Sequence, residues 1–413
     1  MRVVIPYGRD GQQRLDLPDE NFAGVVYPNE VGHSDEHAEI EKALDKPIRA
    51  PLIQDFLKEA TNPVVIVNDA TRPTPTHKVL DILKLRIDLA SLRYLIATGT
   101  HRAPTLEEYH FMFGDHYDAL RPLIHSHDSK KDRMEYLGVS ANGTRMFVNE
   151  MAAKADRLIM ITSVEPHYFA GYTGGRKSFL PGVASYETVE QNHRLAMRPE
   201  AQALALEGNP VHEDMVDALK VIRDKPIFAI QLVLDRHQNV YRAAAGEINE
   251  AFSTAVEWAN EVYSVKIKEK ADVVVSVAPF PMDVDLYQSQ KALDNGKWAL
   301  KENGTIIFVS KCREGIGHST FLQQLSSSQD PKVVLQNLAK EYRLGFHKAA
   351  KMAEIAGWAE VCGVTGIDPE VLRKANITPF DSVQSAVDAA LSRKRDAKVL
   401  ILMEGSVTVP RVG

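Results

Sequence analysis

The stretch PVVIVNDATRP, residues 63–73, starts as a short run of β-branched residues and then becomes a polar loop. An apolar run without polar alternation is typical of a strand buried on both faces of a parallel sheet. Two later stretches have the same arrangement: LRYLIATGTHR, residues 92–102, and RLIMITSVEPH, residues 157–167. Segments with helical periodicity follow such runs along the chain. The alternation of apolar runs and helical segments predicts an α/β fold with parallel strands.

Each of these three predicted strands ends at side chains that can do chemistry. Asp69 and Arg72 follow the first strand, His101 follows the second and His167 follows the third. In open parallel sheets, ligands bind beyond the carboxyl ends of the strands, where the loops converge. We therefore expect these four side chains to share one ligand site.

The rest of the chain predicts a second α/β domain, because 413 residues exceed what one hydrophobic core usually supports. A predicted helix over 251–270 ends in charged residues, and the run ADVVVSVA then opens a new strand at residue 271. These features place an N-terminal domain at 1–268 and a C-terminal domain at 269–403. Residues 404–413 form a tail that either stays with the C-terminal domain or returns to the first domain.

Composition favours a small-molecule ligand in a reducing compartment. Acidic residues outnumber basic ones by six, so no global basic field exists to bind nucleic acid or an anionic membrane. Two cysteines, Cys312 and Cys362, are too few for a disulfide framework. No basic leader is evident, and no apolar run approaches the ~20 residues of a membrane helix. A cytoplasmic location is the expectation.

The segment GYTGGRKS, residues 171–178, resembles the phosphate-binding loop GxxxxGK[ST] but has Arg176 where that loop needs its last glycine. A nucleotide-dependent kinase or ligase that uses this loop is therefore an alternative that the spacing disfavours. Gly174 and Gly175 indicate a close approach of the backbone to some ligand. Lys177 is either a surface lysine or, in this loop, a nucleophile or covalent anchor.

Several polar side chains allow both a structural and a functional interpretation. His101 and His167 lie in loops and could exchange protons near neutral pH. Arg72 is either a clamp for a carboxylate or a partner of Asp69 that stiffens the turn. His193 has no HxH, HExxH or CxxC partner, so a metal there must take most of its ligands from something other than protein side chains.

In the predicted second domain, Gln288 and Lys291 stand one turn apart on an expected helix and would share a face. That face is either exposed to solvent or turned to a ligand.

The motifs taken together resemble the nickel-dependent lactate racemase family. The resemblance covers essentially the whole chain in order, and the EPHxxAGxxGGRK block is specific to that family. The motifs on which the resemblance rests are DATRP from residue 69, TGTHR from 98, EPHYFAGYTGGRKSFLPG from 165, NH from 192 and LYQSQKAL from 286.

The resemblance implies a role for each matching residue. Lys177 would form a thioamide with a nickel pincer nucleotide, whose pyridinium ring gives nickel two sulfurs and a carbon. His193 would supply the fourth ligand. Asp69 would orient Arg72 or contact the cofactor, and Gly174 and Gly175 would contact the cofactor. The remaining implied roles are paired acid/bases at His101 and His167, and substrate binding at Arg72, Gln288 and Lys291.

The implied activity is racemisation or epimerisation of a 2-hydroxy acid at C2 by proton-coupled hydride transfer. The family's substrates include lactate, longer or aromatic 2-hydroxy acids, malate and sugar acids. The family fold has two α/β domains with the active site in the cleft between them, and the enzyme would depend on proteins that synthesise the cofactor. A non-catalytic protein that binds a small acid or a metallocofactor is a further alternative.

Overall fold

The computed structural model describes residues 1–222, 224–317 and 319–413. In chain order the strands are β1 (Arg2–Tyr7), β2 (Gly11–Asp16), β3 (Phe22–Val26), β4 (Pro63–Asn68), β5 (Arg93–Ala97), β6 (Ile124–Ser126), β7 (Met134–Val139), β8 (Arg145–Asn149), β9 (Arg157–Ser163), β10 (Pro166–His167), β11 (Gly171–Tyr172), β12 (Ile227–Leu234), β13 (Val240–Glu247), β14 (Ser264–Ile267), β15 (Ala271–Val277), β16 (Leu300–Val309), β17 (Glu360–Val364), β18 (Thr378–Pro379), β19 (Val399–Leu402) and β20 (Val409–Val412). The helices are α1 (Glu36–Asp45), α2 (Ile53–Leu57), α3 (Thr76–Leu83), α4 (Leu106–Phe113), α5 (Tyr117–Leu120), α6 (Glu150–Lys154), α7 (Tyr186–Arg194), α8 (Pro210–Lys220), α9 (Ile248–Tyr263), α10 (Leu286–Ser289), α11 (Lys291–Gly296), α12 (Ser319–Leu325), α13 (Pro331–Lys340), α14 (Phe346–Ala356), α15 (Pro369–Lys374) and α16 (Val383–Arg393).

These elements form two compact units. The central unit is Glu30–Val262, and the terminal unit combines Met1–Asn29 with Tyr263–Gly413. The mixed α/β architecture agrees with the fold class predicted from the sequence.

The unit boundaries differ from the predicted domain boundaries in two places. The first 29 residues belong to the terminal unit, because β3 pairs in parallel with β19 and the β1–β2 hairpin contributes Ile5 and Leu15 to that unit's core. The predicted helix over 251–270 ends at Tyr263, and β14 follows it. β20 pairs with β14, so the tail that could have returned to the first domain stays in the terminal unit.

The central unit is built on a six-stranded sheet in the order β13-β12-β9-β4-β5-β6. The three strands predicted from the sequence, β4, β5 and β9, are confirmed as parallel neighbours, with β4 in the middle. Five of the six residues of β4 are buried, which explains its unbroken apolar sequence. The chain continues from β4 to β5 on one side and reaches β9 on the other. The loops after these strands therefore diverge at β4 and leave a crevice at its carboxyl end.

The predicted hairpin between residues 134 and 148 is also confirmed. β7 and β8 pair antiparallel, and Gly143 in the intervening turn has φ of +87°. The Asn-Gly pair supplies the backbone conformation that a tight reversal requires.

The terminal unit has its own six-stranded parallel sheet in the order β18-β17-β16-β15-β19-β3. The loop after β15 leads into α10 and α11, which follow each other directly around Gln290. Asp285 caps α10 by accepting the backbone N–H of Gln288 at 2.7 Å. Gln288 and Lys291 are both half-buried there. Within the described ranges, no helix combines the length and apolar character needed to cross a membrane.

Candidate active site

A cavity of about 60 Å³ lies at the carboxyl ends of β4 and β5 and is closed on one side by the loop that follows β11. Of the four side chains predicted to share a site, Asp69, Arg72 and His101 line this cavity, whereas His167 is not among its lining residues. Its lining includes Asp69, Arg72, Thr98, His101, Gly174 and Lys177.

His101 is held by a buried carboxylate. Its Nδ1 lies 2.7 Å from Oδ2 of Asp69, which is only 5% exposed, and Oδ1 of Asp69 accepts the Thr71 hydroxyl at 2.7 Å. Burial acts to raise the pKa of Asp69, but the hydrogen bond and charge of His101, with Thr71 and Arg72, outweigh it and keep this pKa below its ordinary value. An ionised Asp69 needs a proton on Nδ1 of His101, which leaves Nε2 of the neutral ring as the proton acceptor.

Arg72 forms an ion pair with Glu165, at 2.9 Å between Nη1 and Oε1. The interpretation that Arg72 pairs with the Asp69 side chain is therefore wrong, although its backbone N–H does close a turn on the Asp69 carbonyl at 3.1 Å. Among the described residues, Nη1 alone of the guanidinium nitrogens is engaged. Glu165 was not singled out from the sequence, although an acidic residue two positions before His167 was a usable signal.

His167 and His193 both pack against one aromatic ring. The Phe169 ring centroid lies 4.5 Å from that of His167 and 5.0 Å from that of His193, both edge-to-face. His167 is buried on β10, and its Nδ1 accepts the backbone N–H of Ala170 at 3.3 Å. His193 lies in the last turn of α7 and is half-buried, with Nδ1 at 3.2 Å from Oδ1 of Asn192. Phe169 was not predicted as a site residue.

Lys177 lies in a 3-10 turn over Gly175–Ser178 and is half-buried at the cavity. Both neighbouring glycines are required by packing against the sheet. A Cβ on Gly174 would lie 2.6 Å from Cγ2 of Val164, and Gly175 has φ of +49° with its N–H donated to Oε1 of Gln231 at 3.0 Å. The close approach predicted for this backbone is thus an approach to the protein's own strands, and Gly174 also lines the cavity.

The loop over residues 171–178 does not present its amides as a phosphate-binding loop would. The backbone N–H groups of Tyr172, Thr173, Gly175 and Lys177 all donate to acceptors within the protein. Arg176 turns into the interior and is only 2% exposed. The kinase or ligase alternative therefore has no support in the structure.

Protein side chains alone do not form a metal site here. Within the described part of the chain, no group of three or more His, Cys, Asp or Glu residues is placed to hold a metal ion. A metal bound at His193 would take its other ligands from another molecule.

Comparison with known proteins shows which family the chain resembles along its length. Residues 7–204 match the family model for the lactate racemase N-terminal domain, and residues 265–409 match that for the lactate racemase C-terminal domain. The chain is 33% identical to the lactate racemase of Thermoanaerobacterium thermosaccharolyticum over 83% of its length and 82% of that protein. It is 31% identical to the lactate racemase of Lactiplantibacillus plantarum over 94% of its length and 95% of that protein.

Solved structures show the same fold. The lactate racemase apoprotein from T. thermosaccharolyticum superposes with a TM-score of 0.92 at 31% identity, covering all of both chains. A protein from Thermotoga maritima superposes with a TM-score of 0.71 at 18% identity, covering 91% of this chain and 98% of its own, which shows likeness of fold alone.

These comparisons show an isomerase of the racemase type. The chain belongs to the lactate racemase family.

Proposed function

We propose that this enzyme inverts a 2-hydroxy acid at C2, with a nickel pincer nucleotide tethered to Lys177 and with His193 as a metal ligand. The observation that carries the proposal is the cavity that gathers Lys177, Arg72 and the Asp69–His101 pair. One amine, one guanidinium and one carboxylate-supported imidazole provide an attachment point, a carboxylate binder and a proton acceptor.

The residues fit this cofactor. Lys177 is half-buried and lines the cavity, which supports its role as the attachment point. Among the described residues, no group of three or more His, Cys, Asp or Glu side chains is placed to hold a metal with His193, so the pincer would provide the remaining ligands. When bound, the cofactor supplies a hydride acceptor and donor, chemistry that protein side chains lack.

Arg72 binds the substrate carboxylate in this proposal. Its planar fork matches a carboxylate, and among the described residues only Glu165 engages the guanidinium, through Nη1. Gln288 and Lys291 of the terminal unit are further substrate-binding residues in the proposal.

His101 and His167 handle the hydroxyl proton. The hydrogen at C2 is a very weak acid beside a carboxylate, so its removal as a proton would demand a stronger base than histidine. Loss of that hydrogen as hydride avoids a carbanion and requires only that the hydroxyl proton be accepted. Nε2 of His101 accepts this proton from one enantiomer, and His167 serves the other.

A panel of 2-hydroxy acids deuterated at C2 tests the reaction. We expect inversion with deuterium retained at C2, since hydride that leaves and returns does not exchange with water. Inversion with loss of the label to solvent would contradict hydride transfer. Binding of the acids without any inversion would favour the non-catalytic alternative.

The two histidines are tested by separate substitutions. His101→Ala and His167→Ala should each abolish inversion while the mass of the Lys177 adduct stays unchanged. Full turnover in both variants would refute the paired acid/base assignment.

The same proposal includes dependence on cofactor-synthesising proteins and a cytoplasmic location. Cys312 and Cys362 are both free thiols and buried, as expected in a reducing compartment. Protein made in a host that lacks the cofactor should carry an unmodified Lys177 and gain activity when the synthesising proteins are co-produced.

A further inference from the structure

A buried carboxyl group packs against α7, the helix that carries His193. Asp214 of α8 is fully buried, and its two oxygens accept three side-chain donors. Oδ1 accepts the Ser140 hydroxyl, and Oδ2 accepts the Thr144 hydroxyl and Nδ2 of Asn192, both at 2.8 Å. All three hydrogen bonds are donated to Asp214, so this side chain is an acceptor throughout. It thereby joins the turn between β7 and β8 to both α7 and α8.

Asn192 lies between this carboxyl group and His193. Its side chain is fully buried, and Nδ2 also donates to the carbonyl of Val211 at 3.5 Å. Both partners of Nδ2 are acceptors, so the orientation of the amide is fixed, because a reversed amide would set its oxygen against Oδ2 of Asp214. Oδ1 of Asn192 therefore faces His193, and it lies 3.2 Å from Nδ1 of that ring.

This chain of hydrogen bonds sets the position of the proton on His193. An amide oxygen only accepts, so the contact with Oδ1 of Asn192 requires the proton on Nδ1 of the imidazole. The neutral ring then carries no proton on Nε2, and a histidine binds a metal through such an unprotonated nitrogen. Histidines that bind metals commonly donate their other N–H to an oxygen acceptor in this way. Edge-to-face packing on Phe169 holds the same ring from another side chain.

We propose that Asp214 and Asn192 are positioning residues that orient His193 and keep its proton on Nδ1, so that Nε2 is the nitrogen that binds nickel. The functional meaning rests on the proposed metal-ligand role of His193, whereas the position of the proton is a property of the unloaded chain. Asp214 acts on the imidazole only through the Asn192 amide. Neither positioning residue is itself a metal ligand.

Four substitutions separate positioning from simple packing. Asn192→Ala removes the acceptor at Nδ1 of His193, and Asp214→Leu removes the acceptor that orients the amide. Asp214→Asn is the conservative variant, because its side-chain oxygen still accepts Nδ2 of Asn192 while the Ser140 hydroxyl turns to accept its amide N–H. Thr144→Val is the matched control, since it removes another donor to Oδ2 of Asp214 and leaves the Asn192 amide in place.

The first readout is nitrogen NMR of unloaded full-length protein labelled with ¹⁵N-histidine, at about pH 8.5, where an ordinary histidine is neutral. His193→Gln assigns the signal. In the wild type we expect His193 to show a protonated Nδ1 and an unprotonated Nε2. Asn192→Ala and Asp214→Leu should each shift His193 toward a mixture of tautomers. Asp214→Asn and Thr144→Val should retain the wild-type pattern, although Thr144→Val lowers the free energy of unfolding.

The second readout is nickel retention by cofactor-loaded enzyme in competition with a chelator. Asn192→Ala should bind nickel about 10- to 100-fold less tightly than the wild type, the usual loss when the partner of a metal-binding histidine is removed. The mass of the Lys177 adduct should stay unchanged, because the tether does not depend on His193. Thr144→Val should hold nickel as tightly as the wild type.

A wild-type His193 with its proton on Nε2 would overturn the proposal without any variant. An unchanged His193 pattern in folded Asn192→Ala, or an equal change in Thr144→Val, would overturn it as well. If Asn192→Ala does not fold, Asp214→Leu decides by the same criterion. A loaded wild type that holds no nickel would instead refute the proposed function, and the NMR pattern of the unloaded chain would still decide whether Asp214 and Asn192 set the proton of His193.

Discussion

Replacing Asp69 by asparagine removes the charge behind His101 without removing the side chain's volume. The Asp69 carboxylate is 5% exposed and accepts from Nδ1 of His101 at 2.7 Å. A buried hydrogen bond to a charged group contributes about 1.5–3 kcal/mol. If this stabilisation is fully felt when His101 gains a proton, turnover should fall by about 10- to 150-fold. An asparagine amide that donates to Nδ1 would also place the ring proton on Nε2, which adds to the loss.

The assay is the loss of optical activity from each enantiomer of the 2-hydroxy acid that the enzyme inverts, with cofactor-loaded enzyme. The equilibrium constant of a racemisation is one, so kcat/KM must fall equally in the two directions. Thr71→Val is the matched control, because it removes only the hydroxyl donor at Oδ1 of Asp69. That loss of about 0.5–1 kcal/mol should cost about two- to fivefold. An Asp69→Asn enzyme with a complete Lys177 adduct and turnover within twofold of the wild type would show that the Asp69 charge does not support proton uptake by His101.

Three further predictions concern binding and stability. Glu165→Ala should raise KM about 5- to 30-fold, because Arg72 loses about 1–2 kcal/mol of support. Glu165→Gln keeps an acceptor for Arg72, so its KM should stay within about threefold of the wild-type value. Equal KM values for Glu165→Ala and the wild type in steady-state kinetics would contradict this. Gly174→Ala should lower the unfolding free energy by about 2–4 kcal/mol in urea titrations, through positive φ and a Cβ at 2.6 Å from Val164. Gly143→Ala, at a similar φ of +87° with nothing within 4 Å, should cost only about 1 kcal/mol, and equal losses would refute the packing term. The free energy of unfolding should also fall as the pH is lowered from 6.5 to about 3. The reason is that His212 has a pKa near 6.5 in the unfolded chain but, through burial and the charge of Arg176, a pKa of about 3 in the folded chain, so protons bind the unfolded state first. Allowing for partial exposure, this contribution is roughly 2–4 kcal/mol, and a His212→Asn profile of unchanged slope would contradict it.

The strands that carry the site could be predicted because each is locally encoded. β4, β5 and β9 are short apolar runs followed by polar loops, and parallel sheets place such loops at one edge. Their adjacency rests on the same physical rule, so Asp69, Arg72 and His101 were brought together correctly.

Pairings between distant segments could not be predicted in the same way. β3 joins β19 across more than 370 residues of chain, and no local pattern in either strand specifies that partner. The first 29 residues were therefore assigned with the wrong neighbours in space.

The direction of a charged side chain was likewise hidden in the sequence. In the sequence, Arg176 only stands where a phosphate-binding loop needs its last glycine, whereas in the structure it points into the core and binds carbonyls and His212. Its acceptors are backbone oxygens and an imidazole 36 positions away, so neither residue spacing nor composition predicts them. The Glu165 partner of Arg72 depends in the same way on the meeting of two loops.

Intact mass and nickel content of protein made in cells that synthesise the pincer nucleotide test the central claim most directly. We expect a mass increase and equimolar nickel in the wild type, with both lost in Lys177→Ala. His193→Ala should keep the mass increase and hold nickel less tightly. A wild-type chain that stays unmodified and free of nickel in a preparation with verified cofactor supply would contradict the account.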